Sequence, residues 1–265
     1  LAFTKLWFDE ISTEFGYYSR FNEIQGVLKN IQQAENDAGT FMLENKIKKR
    51  GFFSEKLDLE SHFSLQYVKN NFTDTASVNY DFEGNSYPSP NGQGETGDVP
   101  HDTDDKYLDL NERINFDYHF TPNHNLNFNT LFHYAKRQPK DDIASQHAGF
   151  TIGGYPSNMT SFISGLTWEA NFFNKRLINM LSAKVFHLNS KIEDLTSYEM
   201  MEPPKQKQNK ATEFGWIEAI KYEVIPHVHL KASYQRAIRL PNPQELFGDG
   251  ISICLLYTSP SPRDA

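Results

Sequence analysis

The stretch Tyr107-Leu-Asp-Leu-Asn-Glu-Arg-Ile-Asn-Phe-Asp-Tyr-His-Phe120 decides the fold. Leu108, Leu110, Ile114, Phe116, Tyr118 and Phe120 occupy every second position, and Asp109, Asn111, Arg113, Asn115, Asp117 and His119 occupy the others. Only Glu112 interrupts the apolar set. A helix would bring apolar residues together at spacings of three and four, so a period of two reads as a strand with one apolar and one polar face.

The same alternation recurs on both sides. Leu57, Leu59, Phe63, Leu65 and Tyr67 alternate with Lys56, Asp58, Glu60, His62 and Gln66; Ile11, Phe15, Tyr17 and Phe21 precede them. Downstream, Phe162, Leu166, Trp168, Ala170 and Phe172 form another apolar face. Phe214, Trp216, Ile220, Tyr222 and Val224 form the next, followed by Val228, Leu230, Ala232 and Tyr234. Thr40–Lys49 carries a weaker strand pattern, and Leu177–Asn189 is mixed on both faces. About ten strands of roughly 11 to 14 residues are expected, all antiparallel.

Connections supply the second signal. Tight turns fall near Gly51–Glu55, Thr121–Asn125, Asn174–Arg176 and Ile225–His227. Long polar stretches lie between them, at Asn22–Gly39, Asn70–Lys106, Lys136–Thr160 and Ser190–Ala211. Repeated loops of that length are uncommon in a compact domain. Strict alternation of short and long connections is the organisation of an outer-membrane β-barrel, with short turns on the periplasmic side and long loops outside. Strand length suits such a span, and Tyr67, Tyr107, Phe120, Tyr134, Phe172, Phe173, Phe214 and Tyr222 collect at strand ends, where girdle aromatics sit. A soluble β-sandwich explains the alternation equally well, but not the strand lengths together with the loop pattern.

Composition agrees. The 265 residues carry a formal net charge of −8, and the mean hydropathy of −0.62 excludes a helical membrane protein while leaving an alternating barrel open. No basic cluster exceeds Lys46, Lys48, Lys49 and Arg50, so nucleic acid is not an expected partner. A single cysteine, Cys254, excludes a disulfide framework. The chain opens at Leu1, and its start is expected to be missing.

Tyr234-Gln-Arg-Ala-Ile-Arg-Leu-Pro-Asn-Pro-Gln-Glu-Leu-Phe-Gly-Asp-Gly250 closely resembles the late-barrel segment of TonB-dependent outer-membrane receptors, particularly the Bacteroidota type. Glu14–Gln25 looks like barrel strands of the same group. The resemblance implies an antiparallel transmembrane barrel of about 22 strands, of which residues 1–250 are an incomplete segment without plug or final strands. It further implies outer-membrane lipid, the plug of the same full-length chain and the TonB complex as partners. A scarce nutrient (a siderophore, vitamin, glycan or similar) would be the cargo, and no cofactor is expected. Within the motif, Arg239, Leu240, Pro241, Glu245, Leu246, Phe247 and Gly248 are expected to have a structural loop role. Residues 251–265 break the strand pattern and resemble translated sequencing-adapter read-through, so a non-native tail is expected there.

Catalytic signatures are missing from the sequence: no GxSxG, HExxH or P-loop stands out, and an enzyme is not expected. Asp98, His101, Asp102, Asp104 and Asp105 form an oxygen-rich loop of the sort that can hold Ca²⁺, although a solvated acidic loop is the commoner explanation. His227 and His229 share a strand face but lack a third ligand. If the apolar set faces lipid, Asp109, Arg113, Asp117, Glu169, Lys221, Lys231 and Gln235 face the lumen. Two other readings stay open at this point: a passive outer-membrane porin, and a soluble all-β glycan-binding domain.

Overall fold

The structure is a computed structural model that describes residues 2–24, 34–74, 78–80, 86–88, 101–151, 153, 155–194, 202–203 and 205–247. Ten strands form one open antiparallel sheet: β1 (Ala2–Phe8), β2 (Ile11–Ile24), β3 (Ala34–Lys49), β4 (Leu57–Asp74), β7 (His101–Thr121), β8 (His124–Gln138), β9 (Ser157–Phe172), β10 (Leu177–Asp194), β11 (Lys205–Ile225) and β12 (Val228–Arg236). A separate short hairpin pairs β5 (Val78–Tyr80) with β6 (Ser86–Pro88). Apart from that inserted hairpin, every strand pairs with its neighbour in sequence. Two short helices complete the described elements, α1 (Asp142–Ala148) and α2 (Pro243–Phe247).

Four of the tight turns, all but the one at Thr121–Asn125, use residues in the left-handed region, as short hairpins commonly do. Asp9 sits at φ 48°, Gly51 at 68°, Asn174 at 54° and His227 at 71°. The turn at Asp9–Glu10 carries no glycine or proline, which is why the sequence does not signal it.

Strands β4, β7, β10 and β11 are 18, 21, 18 and 21 residues long, longer than the alternation suggests. The connections are correspondingly shorter. Polar residues at the strand ends, such as Asn70, Asn71, Thr73 and Asp74 opposite residues of His101–Asp105, pair through their backbones with no alternating apolar face to mark them, Phe72 standing alone. His101–Asp105, expected in a loop, therefore belongs to β7.

Register converts alternation along strands into rows across the sheet, because directly opposed residues share a face. One row runs Leu59, Phe116, Phe128, Leu166, Ala183, Trp216 over six strands. The next row, on the opposite face, runs Asp58, Asp117, Asn127, Thr167, Ser182, Ile217, Gln235. The sheet is thus apolar on one side and mainly polar on the other. Register also places Asp109, Arg113, Asp117, Glu169, Lys221, Lys231 and Gln235 on one face.

Among the described residues the apolar side has no second layer. Leu166 is 48% exposed and Phe214 61%. Two polar interruptions on that side are satisfied locally: Ser61 Oγ donates to Glu112 Oε1 at 2.8 Å, and Asn45 Nδ2 to Thr13 Oγ1 at 2.8 Å. The principal buried cluster lies on the polar side instead, where Leu246 and Phe247 of α2 pack on Ala135, Met159 and Leu188. This explains the mixed character of Leu177–Asn189. On the apolar side β10 presents Leu177, Leu181, Ala183 and Val185 together with Asn179 and His187, while Leu188 on the other face packs with α2.

Gly153 lies in the connection between α1 and β9 at φ 71°, where an added Cβ would stand 2.3 Å from the Pro139 carbonyl oxygen. Gly153→Ala is expected to destabilise the fold by about 2 kcal/mol through left-handed strain and that clash. A urea titration should show a lowered midpoint; an unchanged midpoint would mean that this connection does not constrain the β8–β9 pairing.

Candidate functional site on the polar face

The polar face carries a ladder of side-chain hydrogen bonds along β7 and β8. Asp109 accepts from Tyr107 Oη at 2.8 Å, lies 3.0 Å from His133 Nε2, and also accepts from Asn111 Nδ2. Further toward the short-turn end, Asn127 Nδ2 donates to Asn115 Oδ1 and Asp117 Oδ1, both at 2.7 Å. Asn115 Nδ2 reaches Asp117 Oδ2 at 2.7 Å, and Asn129 Nδ2 reaches Asn127 Oδ1 at 3.0 Å. His119 Nε2 lies 3.4 Å from Asp58 Oδ2. These residues are two apart in sequence, directly opposed or diagonal neighbours across the ladder, so the pleat holds their side chains within hydrogen-bond reach. Each carboxylate is met by donors, which makes the face a lined polar wall.

Near the long-connection end, the segment 237–247 returns from the β12 edge and lays α2 over β8, β9 and β10. α2 starts on a reciprocal cap. Glu245 N donates to Asn242 Oδ1 at 2.8 Å, and Asn242 N donates to Glu245 Oε2 at 2.9 Å. Arg239 pairs with the same carboxylate. Leu240 packs on the cluster formed by Leu246, Phe247 and their sheet partners, and Pro241 is half-buried. Gly248 lies outside the described residues, as do residues 251–265.

Arg137 anchors this segment to the sheet. Its Nη1 donates to the Phe247 carbonyl oxygen at 3.2 Å, while Nε and Nη2 reach Asp105 Oδ2 at 2.9 and 2.7 Å. Nothing local in the sequence marks Arg137, because its partners lie 32 and 110 residues away.

The acidic group named above as a possible Ca²⁺ loop, with a solvated loop as the commoner reading, is spread over both faces by the pleat in its described part. Asp104 and Asp105 point to opposite faces; Asp104 pairs with Lys106 at 2.8 Å and Asp105 with Arg137. The Asp102 backbone N–H donates to Asp141 Oδ1 at 3.4 Å. Asp98 and the His101 side chain lie outside the described residues. Among the described residues, no three His, Cys, Asp or Glu side chains are grouped to hold a metal ion.

Neither a family model nor a curated protein matches the chain. Among solved structures, the chain is similar to BauA, the ferric preacinetobactin receptor from Acinetobacter baumannii. Identity is 8%, the TM-score is 0.46, and the match covers 86% of this chain and 38% of that one. It is also similar to the ferric citrate transporter FecA in its unliganded form, with 8% identity, a TM-score of 0.48, and 85% and 33% of the two chains covered. For the siderophore receptor PiuA from Acinetobacter baumannii the values are 11%, 0.39, 85% and 38%. The chain therefore spans between 33% and 38% of the length of these proteins.

The Asn242 backbone N–H and the Arg239 guanidinium hold the Glu245 carboxyl below its usual range. A depressed carboxylate pKa contributes stability that is complete above the unfolded value of about 4.3 and is lost as pH falls through the folded value. Hydrogen-exchange protection factors of the α2 amides are expected to hold at neutral pH and to fall as the pH drops below the unfolded value of about 4.3 and through the lower folded value. Glu245→Gln should lower them already at neutral pH. Equal protection in the variant would remove Glu245 from the account of why α2 stays docked.

Proposed function

We propose that the chain is part of the wall of an outer-membrane β-barrel of the TonB-dependent receptor kind, which imports a scarce nutrient. The observation that carries this reading is the two-faced ladder. A ten-stranded sheet with an uncovered apolar side requires an apolar environment there. Lipid supplies one, and the internally paired Ser61–Glu112 and Asn45–Thr13 groups suit a surface that meets no water. The polar side then lines the lumen and meets a plug belonging to the same full-length protein. Open edges at β1 and β12 would be closed by further strands of that protein, since unpaired backbone groups in lipid cost several kcal/mol each.

In this reading the long connections capture a small-molecule or glycan cargo, and a TonB complex acting on a region outside this chain drives plug rearrangement and release into the lumen. The motif at Arg239–Phe247 braces the lumen wall near its outer end and takes no part in chemistry. A passive porin remains the main competitor, because the same wall without a plug would leave a water-filled channel. A soluble glycan-binding domain would have to cover the apolar face with protein.

The lipid assignment is tested by substitutions on the two faces in the complete protein. Leu110→Arg and Phe116→Arg, on the apolar side, are expected to cost about 2 to 4 kcal/mol and to block insertion. Asn111→Arg, on the polar side of the same strand, should insert normally. Insertion into vesicles, followed by the heat-dependent shift in electrophoretic mobility, reads the outcome. Normal insertion of both apolar-side variants would sink the outward-face assignment. Recovery of the flanking reading frame then separates active from passive transport: a plug-sized domain upstream is expected, and a barrel without one would point to the porin.

A further inference from the structure

Beneath α2 the inward face forms an apolar cup that belongs to the sheet itself. Ala135 of β8, Met159 of β9 and Leu188 of β10 make its floor, and Tyr107 and Ile192 pack at its sides. Tyr107 is held there by its own strand, since its hydroxyl donates to Asp109 at 2.8 Å. Leu246 and Phe247 of α2 fill the cup, each 8% exposed, and the Phe247 carbonyl oxygen accepts from Arg137 Nη1 at 3.2 Å. Arg137 and Asp105 offset one another at the rim, so shape and hydrogen bonding select what sits there, and net charge does not.

One polar group in the floor is left over. Ser190 lies between Leu188 and Ile192 on the same face of β10, directly opposite Met159, and is fully buried. Among the described residues its Oγ meets no hydrogen-bond partner. A buried hydroxyl in that state has lost its bonds to water and gained nothing in return. α2 cannot supply the partner, because a helix engages its backbone N–H groups with its own preceding turn; Leu246 N donates to Asn242 O at 3.2 Å. An extended segment instead presents free N–H and C=O groups. α2 is also closed on itself by the Asn242–Glu245 cap and the Arg239 ion pair, so it can lift as a unit without unpairing any strand.

We infer that the cup is a binding seat for an extended peptide segment, and that α2 is a built-in stand-in displaced when such a segment arrives. The stand-in carries the chemistry that the seat accepts: a leucine, a phenylalanine and one backbone carbonyl on Arg137. In an extended segment side chains two apart point the same way, so the arriving pair must be spaced by one residue. Its backbone then gives Ser190 Oγ the partner that the helix withholds. The inference rests on the reading of this face as lumen wall, and it gives the cargo a peptide part.

The test uses the complete protein inserted into phosphatidylcholine vesicles, with hydrogen exchange of the α2 amides as the readout. Insertion is read separately by heat-dependent mobility. In the wild type, acetyl-Ser-Leu-Ser-Phe-Ser-amide is expected to raise α2 exchange in proportion to its concentration, because it binds only the lifted state. The isomer acetyl-Ser-Ser-Leu-Phe-Ser-amide should act about tenfold more weakly, since one of its apolar side chains is turned out of the cup. Ser190→Ala removes the stranded hydroxyl, so it should slow α2 exchange about tenfold without peptide and blunt the response to peptide. The β9 and β10 amides should not respond. With insertion normal, α2 exchange that ignores the peptide, answers both isomers equally or is unchanged by Ser190→Ala would overturn the seat and leave the barrel reading intact. A response that spreads to β9 and β10 would do the same. Failure of the wild type to insert would overturn both.

Discussion

Direct opposition of residues across antiparallel strands is the constraint on which the molecule depends. Each strand alternates, but alternation in one strand says only that it has two faces. Nine ladders in register join the faces of ten strands into two continuous surfaces, so that Leu59 and Trp216, 157 positions apart, lie in one row. Slipping a single strand by one residue would put its leucines and phenylalanines among the Asp and Asn ladder and its carboxylates on the apolar side. Both faces oppose such a slip. Register is therefore over-determined even though the sheet has almost no apolar core among the described residues.

The scarcity of a core bears on function. A soluble protein of this size would bury most of its Leu, Ile, Val and Phe side chains in one cluster. Among the described residues the buried hydrophobic set is three alanines and four larger side chains, and the larger ones all belong to the cluster formed by α2 and the strands beneath it. Stability within the sheet comes mainly from backbone pairing. The apolar face contributes fully only in a medium that also excludes water, which is why lipid is the environment we infer. The polar ladder has the opposite property, since its carboxylates and amides satisfy one another and can tolerate a wetted lumen or a docked domain.

α2 shows how a local signal and a distant one combine. Asn242 and Glu245 form a cap that any reader of the chain could anticipate from an Asn followed three residues later by Glu. Where that short helix docks is decided by Met159, Leu188 and Ala135 on three other strands, and by Arg137 bridging Asp105 to the Phe247 carbonyl. The helix covers Ala135, Met159 and Leu188, an apolar part of the otherwise mainly polar face.

Much of the fold was legible from the chain alone because period two is a local property, printed in each strand by its own residues. The strand pattern around Tyr107–Phe120, the positions of four tight turns and the shared face of Asp109, Arg113 and Asp117 needed no knowledge of partners. Strand ends were not legible: His101–Asp105 is polar on both sides and Asn70–Asp74 carries only Phe72 as an apolar residue, so backbone pairing across the sheet makes them strand. The same pairing dispersed the acidic group that looked like one loop, sending Asp104 to Lys106 and Asp105 to Arg137. Periodicity, turns and the two chemical faces were determined by the sequence itself. The tertiary structure alone decided strand extent and the docking of α2, because each depends on which residues stand opposite one another across strands remote in the chain.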